Sequence, residues 1–298
     1  MRRNGKLKAI AAALGGLVLL IAGASVMLYP CVSDYYNRRH QTEVITAYAD
    51  AVNAEEKADI DSRWEQAQDY NSEFAEAGGG APLDNYMEIL NIDGVMGYIE
   101  IPKISVYLPI YHTAGEEALQ KGVGHIEYSS LPVGGEGSRA LLTGHRGLPR
   151  AELFTRLDEM EEGDVFYIHI LDRTLTYSVT QTEIIKPYEF KALEPVCGKD
   201  LLTLITCTPY GLNSHRLLVT GERIYDEAPA SGEPETYRPN GILSGGTTSG
   251  KYFRLGALLG LGIFAALLLT ALILTGVRRY RRKLRAAKHL RRGGNRKK

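Results

Sequence analysis

Two stretches of the chain are apolar almost without interruption, and the pattern between them changes period once. Ile10 to Leu28 is one such run and Leu255 to Val277 is the other. Each has about the ~20 residues that cross a bilayer as a helix. From Ser33 to about Ala77 the chain is rich in Ala, Glu, Gln and Asp. Val44, Tyr48 and Ala51, then Ala58, Ile60 and Trp64, recur there near helical spacing, which predicts one or two amphipathic helices. These helices either pack on the following domain or form a stalk, with Trp64 and Phe74 filling a hydrophobic seam. Gly78-Gly79-Gly80-Ala81-Pro82 breaks the pattern, and Leu83 to Leu90 reads as a short helix.

From Gly97 onward the period shortens to that of strands. Tyr98 to Ile101, Val106 to Tyr111, Ala140 to Thr143, Val165 to Ile170, Thr174 to Thr180, Glu183 to Ile185, Leu201 to Thr206 and Leu217 to Ile224 are short, alternating or β-branched, and bounded by turn residues. Glu116 to Lys121 reads as a helical turn and Leu153 to Met160 as a helix. Seven or eight closely spaced strands with few helices predict an all-β closed barrel or a sandwich. Residues 226–250 are rich in Pro, Gly, Ser, Thr and Glu and read as a linker.

Charge gives the two apolar runs a direction. The formal net charge is zero over 298 residues, but it is unevenly spread. Residues 1–29 carry four basic residues and no acid, and residues 251–298 carry 14 basic residues and no acid. The middle therefore keeps 17 basic residues against all 35 acidic ones, a formal charge of −18. Lysine and arginine on the outer side of both runs place both termini in the cytoplasm and residues 30–250 outside the cell membrane. The basic tail, residues 278–298, reads as a stop-transfer signal held against anionic lipid. An acidic middle between basic ends does not suggest a nucleic-acid binder. The first run also has the small residues of a cleavage site, Ala22-Gly23-Ala24, although an uncleaved anchor is the preferred reading.

The chemistry concentrates in one stretch. Leu201 to Thr206 leads into Cys207, Thr208-Pro209-Tyr210-Gly211 turns the chain, and Arg216 opens the next apolar run. Such a pair of neighbouring strands puts a thiol and a fixed positive charge at the same rim of a sheet, and positive charge nearby favours the thiolate. The competing expectation is a packed strand cysteine, or a Cys197–Cys207 bridge. Only three cysteines are present, Cys31, Cys197 and Cys207, with no disulfide framework and no Cys-x-x-Cys zinc pair. A catalytic cysteine needs a proton-transfer partner, usually histidine. His145 follows a strand end and is bracketed by Gly144 and Gly147, which exposes its side chain at a rim. His215, beside Arg216, is the second choice. His125 and His112 rank below it, and His169 reads as a packing or surface residue.

Thr203-Leu204-Ile205-Thr206-Cys207 with Arg216, and Thr143-Gly144-His145-Arg146-Gly147, resemble the sortases, the cysteine transpeptidases of Gram-positive cell surfaces. The resemblance spans about residues 94–225. It includes Met96 to Ile104, Leu108-Pro109-Ile110-Tyr111, Gly122-Val123-Gly124-His125, Ser130 to Gly135 and Cys207-Thr208-Pro209-Tyr210. With the carboxy-terminal apolar run it is similar to class C, the pilin-polymerising sortases.

The resemblance implies an eight-stranded barrel between two transmembrane helices, with no metal or organic cofactor. It implies that Cys207 attacks the Thr–Gly bond of a Leu-Pro-any-Thr-Gly-like sorting signal to form a thioacyl-enzyme. His145 serves as the acid and base, and Arg216 stabilises the oxyanion or holds the substrate backbone. The acceptor is a pilin lysine; the rivals are a cell-wall amine, water, and a non-catalytic surface scaffold. Class C enzymes carry an Asp-Pro-aromatic lid before the barrel. Here Asp84-Asn85-Tyr86 matches it imperfectly, which implies a degenerate or absent lid in residues 33–90. Leu131-Pro132-Val133-Gly134-Gly135 mimics a sorting signal but lacks the threonine and reads as a structural loop.

Overall fold

A computed structural model describes residues 2–148 and 151–225. The linker, second apolar run and basic tail (226–250, 255–277 and 278–298) lie outside the described residues.

Helix α1 runs from Arg2 to Ala54 and continues through Pro30. It was expected to end near Leu28 and restart at Ser33; instead one helix joins the apolar run to the amphipathic one. Among the described residues it is the helix long and apolar enough to cross a membrane. Its later turns pack on the barrel through Gln41, Ile45, Tyr48 and Val52, which share one face at helical spacing and are buried. The Tyr48 hydroxyl donates to Met96 O (3.1 Å) and accepts from Leu171 N (2.8 Å). Helix α2, Lys57–Glu76, buries Ile60, Trp64, Ala67, Tyr70 and Phe74 along one stripe. The Arg173 guanidinium covers the outer face of Trp64 at 4.4 Å. Both helices are therefore part of the domain's packing.

Eight strands close into a barrel. They are β1 (Val95–Ile101), β2 (Val106–Tyr111), β3 (Val123–His125), β4 (Arg139–Thr143), β5 (Val165–Ile170), β6 (Arg173–Ile185), β7 (Leu201–Thr208) and β8 (His215–Ile224). The order around the barrel is β1-β2-β3-β4-β7-β8-β6-β5, and β5 pairs back to β1. Two neighbouring pairs are parallel, β2 with β3 and β4 with β7. Parallel neighbours need a crossover. The first is the short helix α3, Glu116–Lys121; the second carries β5 and β6. A buried core of Ile99, Ile110, Leu142, Phe166, Ile168, Tyr177, Leu202 and Leu204 fills the interior.

Three local expectations change. The two strands expected at 174–180 and 183–185 are one strand, β6, with a bulge between Val179 and Gln181. The helix expected over Leu83–Leu90 is a series of turns ending in Leu90 at φ 56°. The helix expected over Leu153–Met160 shrinks to a 3-10 turn at Leu157–Glu159, because Leu153 takes φ 38° and breaks the helical path. The Leu131–Gly135 segment is a structural loop. Leu131 and Val133 are buried, and Asn71 clasps the Leu131 backbone from both sides.

Tyr86 joins the segment before the barrel to its wall. The ring is buried, edge-on to His112 and stacked on His125. His125 Nε2 lies 2.8 Å from the Ser130 carbonyl, which can only accept, so Nε2 carries the proton. Nδ1 is then the acceptor of the Tyr86 hydroxyl at 2.8 Å. Burial pushes the His125 imidazole down to about 4. The unfolded chain, with an ordinary imidazole at ~6.5, takes up the proton first as pH falls. Stability is thus full above the ordinary histidine range and drops between there and about 4. The loss attributable to this ring reaches about 3 kcal/mol. Thermal midpoints of the detergent-solubilised chain at neutral and mildly acid pH should show this fall, and His125→Gln should flatten it.

Candidate active site

Strand β7 alternates between two environments. Leu202, Leu204 and Thr206 are buried, the two leucines within the interior core. Thr203, Ile205 and Cys207 share the opposite face, as a strand's two-residue period requires. On that face Ile205 joins Leu141, Ile185 and Leu218 in a second apolar cluster, covered by Ala192 and Leu193 of the β6–β7 loop. Cys207 sits at the end of this strip, half-buried, directly opposite Arg216 in the β7–β8 register. The thiol and the guanidinium therefore occupy one rim. Cys197 and Cys207 are both free thiols, so the expected alternative of a bridge between them is not formed.

His145 reaches the same rim from β4. Parallel pairing sets Leu141 against Thr203 and Thr143 against Ile205. Two further residues along each chain bring His145 level with Cys207. The path is held beyond the strand: Gly144 N donates to Ile205 O (3.1 Å), and the buried Thr206 hydroxyl donates to Gly144 O (2.8 Å). Arg146, next in sequence, donates to Thr208 Oγ1 (3.2 Å) and pairs with Asp158 (2.6 Å). These contacts bind the histidine's loop to the cysteine's strand. His145 Nε2 lies 3.5 Å from a Glu116 carboxylate oxygen at the start of α3. Arg216 Nη1 donates to the carbonyls of Asn213 (3.2 Å) and His215 (3.0 Å), which orients the guanidinium.

The two glycines beside His145 have separate reasons. A Cβ on Gly144 would stand 2.8 Å from the Phe154 ring. Gly147 has φ +78°, and a Cβ there would also meet the Tyr210 ring at 2.8 Å. Gly147→Ala should therefore cost about 1–2 kcal/mol from backbone strain alone. A lowered thermal midpoint would register it, and an unchanged one would contradict this geometry.

The remaining histidines are accounted for elsewhere. His215, the second choice, pairs with Thr208 across the strands and its Nδ1 is 2.9 Å from Ser214 Oγ. His169 stacks on Tyr98 at 4.3 Å, and His112 and His125 are buried in the Tyr86 cluster. Sequence reasoning gave no role to Glu116, nor to Arg146, Thr206 and Thr208, although these three stand in the motifs that carry the resemblance. Thr206 had a signal, a polar residue at an interior position of an apolar strand. Glu116 had none, since its approach to His145 depends on tertiary structure.

A family model described as Sortase domain matches residues 99–224. Among solved structures, the chain is similar to sortase C of Streptococcus pneumoniae, with 43% identity and a TM-score of 0.58 over 63% of this chain and 99% of that one. It is similar to sortase C1 of Streptococcus agalactiae, with 42% identity and a TM-score of 0.59 over 62% and 100%. In sequence it is also 28% identical to sortase A of Bacillus anthracis, over 71% of this chain and 94% of that protein.

Proposed function

Because the chain belongs to the sortase family of cysteine transpeptidases, we propose that it is a membrane-anchored pilin sortase working through Cys207, His145 and Arg216. The observation that carries this reading is the register, which sets Cys207 against Arg216 and delivers His145 to the same rim. The Cys207 sulfur attacks the carbonyl carbon of the threonine in a Leu-Pro-any-Thr-Gly-like signal. The Arg216 guanidinium stabilises the charge that develops on the carbonyl oxygen. His145 protonates the departing glycine amine as the C–N bond breaks, leaving a threonyl thioester on Cys207. An incoming lysine amine gives its proton to His145 and attacks the thioester. An isopeptide bond forms and the thiol is released.

The pilin assignment is supported by the class C neighbours, of which the S. pneumoniae structure is described as bearing on pilin substrate specificity. In this reading α1 spans the membrane with its amino end in the cytoplasm. Residues 30–250 lie outside, and a second span at 255–277 returns the chain. Mixing the full chain with a sorting-signal peptide and two competing acceptors, a lysine-bearing pilin domain and a cell-wall cross-bridge peptide, tests the assignment. Joining to the pilin lysine supports it. Joining to the cross-bridge amine makes the chain an anchoring sortase, release by water makes it a hydrolase, and no cleavage leaves a scaffold.

The lid in this reading does not gate the site. Asp84 and Asn85 are exposed, while Tyr86 is committed to His125. Deleting residues 73–86 would remove the buried Phe74 and Tyr86 along with any lid. The exposed pair gives the cleaner test: Asp84→Ala with Asn85→Ala should leave the rate of Cys207 alkylation unchanged, and a severalfold acceleration would reveal a lid.

A further inference from the structure

The catalytic rim and the membrane anchor meet at the same end of the molecule. Cys207, at the end of β7, Arg216, at the start of β8, and His145, after β4, define that end. Helix α1 attaches there first. Arg38 pairs with both Asp34 and Glu152, and Asp34 also accepts from Glu152 N (3.2 Å). Glu152 lies on the loop that follows His145, and Phe154 on the same loop bonds back to His145 O (3.1 Å). Three residues beyond Arg38, Gln41 donates to Lys121 O at the end of α3 (2.9 Å). Only later, at Tyr48, does α1 reach Leu171 in the β5–β6 turn at the opposite end. The helix thus enters at the catalytic rim and climbs away from it.

The separation is short. Leu28 closes the apolar run, and Asp34 is six residues on. At a helical rise of ~1.5 Å per residue that is about 9 Å. Tyr29, Tyr35 and Tyr36 are exposed across this interval, where aromatic side chains suit a membrane–water interface.

The barrel's own exposed apolar side chains gather at this end. After α1, nine large hydrophobic residues are exposed among the described residues. Five of them, Ile184, Tyr188, Phe190, Tyr210 and Leu212, lie at the end of β6, on the first part of the β6–β7 loop or on the β7–β8 loop, with exposures from 61% to 77%. The β7–β8 loop and the start of the β6–β7 loop border the rim, since Thr208 pairs with His215 and Ile185 with Arg216. Exposed apolar side chains concentrated at one end of a domain mark an interaction surface.

We propose that the catalytic end of the barrel rests on the lipid surface, with the β6–β7 and β7–β8 loop tips seated in the headgroup region. The proposal builds on the reading of α1 as a membrane span. A face held about 9 Å from the bilayer by a continuous helix, and carrying Tyr188, Phe190, Tyr210 and Leu212 outward, buries these side chains at the interface as monotopic segments do. The site then opens beside the bilayer.

Quenching by brominated lipid tests this on the full chain. The protein is reconstituted in phosphatidylcholine–phosphatidylglycerol vesicles, with the phosphatidylcholine either plain or brominated high on its acyl chains. The unmodified chain, whose single Trp64 is buried, gives the baseline. Tyr188→Trp and Leu212→Trp report on the loop tips. Tyr225→Trp reports on the other end of β8, and Leu20→Trp reports on the span itself. Quenching of both loop-tip tryptophans severalfold above Tyr225→Trp, together with quenching of Leu20→Trp, supports the proposal. Quenching of Leu20→Trp with the loop tips at baseline overturns it while the anchor stands, and gives the patch to a polypeptide partner. Equal quenching at the tips and at Tyr225→Trp also overturns it. A baseline result at Leu20→Trp removes the anchor, and the proposal with it.

Discussion

Replacing Cys207 by alanine is expected to abolish cleavage and joining of a sorting-signal peptide, with residual turnover on the order of 10⁴-fold below the natural chain's or less. The whole reaction passes through a bond to this sulfur, and no neighbouring group can substitute for it. The substitution leaves the fold intact. Cys207 is half-buried at the outer end of β7, whereas the packing of that strand rests on Leu202 and Leu204 inside and on Ile205 outside. The Thr203–Thr220 hydroxyl contact (3.0 Å) and the β7–β8 register hold the strand independently of the thiol. The loss must therefore appear in activity with the thermal midpoint unchanged. Cys197→Ala is the control. Cys197 is an exposed thiol outside the strand, and its loss should leave turnover as it was. Chromatographic assay of the peptide products with both variants decides the matter.

His145→Ala is expected to lower kcat/KM by about 10²–10⁴, the usual worth of a positioned acid and base. The expelled glycine amine leaves as a poor anion unless a proton reaches it, and the incoming lysine attacks only once it is deprotonated. Leaving-group chemistry separates this role from a structural one. A depsipeptide with an ester in place of the Thr–Gly amide expels an alkoxide, which needs less protonation, so acylation of the variant should recover much of its rate on the ester. A ring that merely filled space would depress both substrates equally. Loop collapse is also guarded against. Gly144 N on Ile205 O, Thr206 on Gly144 O and Arg146 on Thr208 and Asp158 all survive the change.

The elements that position the site were the ones most legible in the sequence. Leu201–Thr206 is short, apolar and β-branched, and it forms β7. The turn after Cys207 and the apolar run from Leu217 put Arg216 across from it as expected. What escaped notice was either too short or dependent on distant contacts. Strand β3 has three residues, Val123-Gly124-His125, which is less than two alternations. The polar Thr180-Gln181-Thr182 disguised the middle of β6, where a bulge shifts the register. The apolar run ending at Leu28 and the amphipathic stretch from Ser33 read as separate elements, but α1 runs unbroken through Pro30 between them. Proline costs about 3 kcal/mol in a helix interior, a penalty that the helix tolerates while its later turns pack against the barrel. Tyr86 was weighed as a lid aromatic, but its place between His112 and His125 depends on which histidines the barrel walls bring beside it.

The central claim is that the Cys207 sulfur carries the acyl group of a sorting signal, and peptide mapping of the trapped intermediate tests it most directly. The full chain in detergent is mixed with a Leu-Pro-any-Thr-Gly peptide without added acceptor, quenched in acid, digested and analysed by mass spectrometry. The account predicts a Leu-Pro-any-Thr adduct on the fragment carrying Cys207, released by a lysine amine and absent from Cys207→Ala. An adduct on Cys197, or cleavage that leaves Cys207 unmodified at every time point, would contradict it.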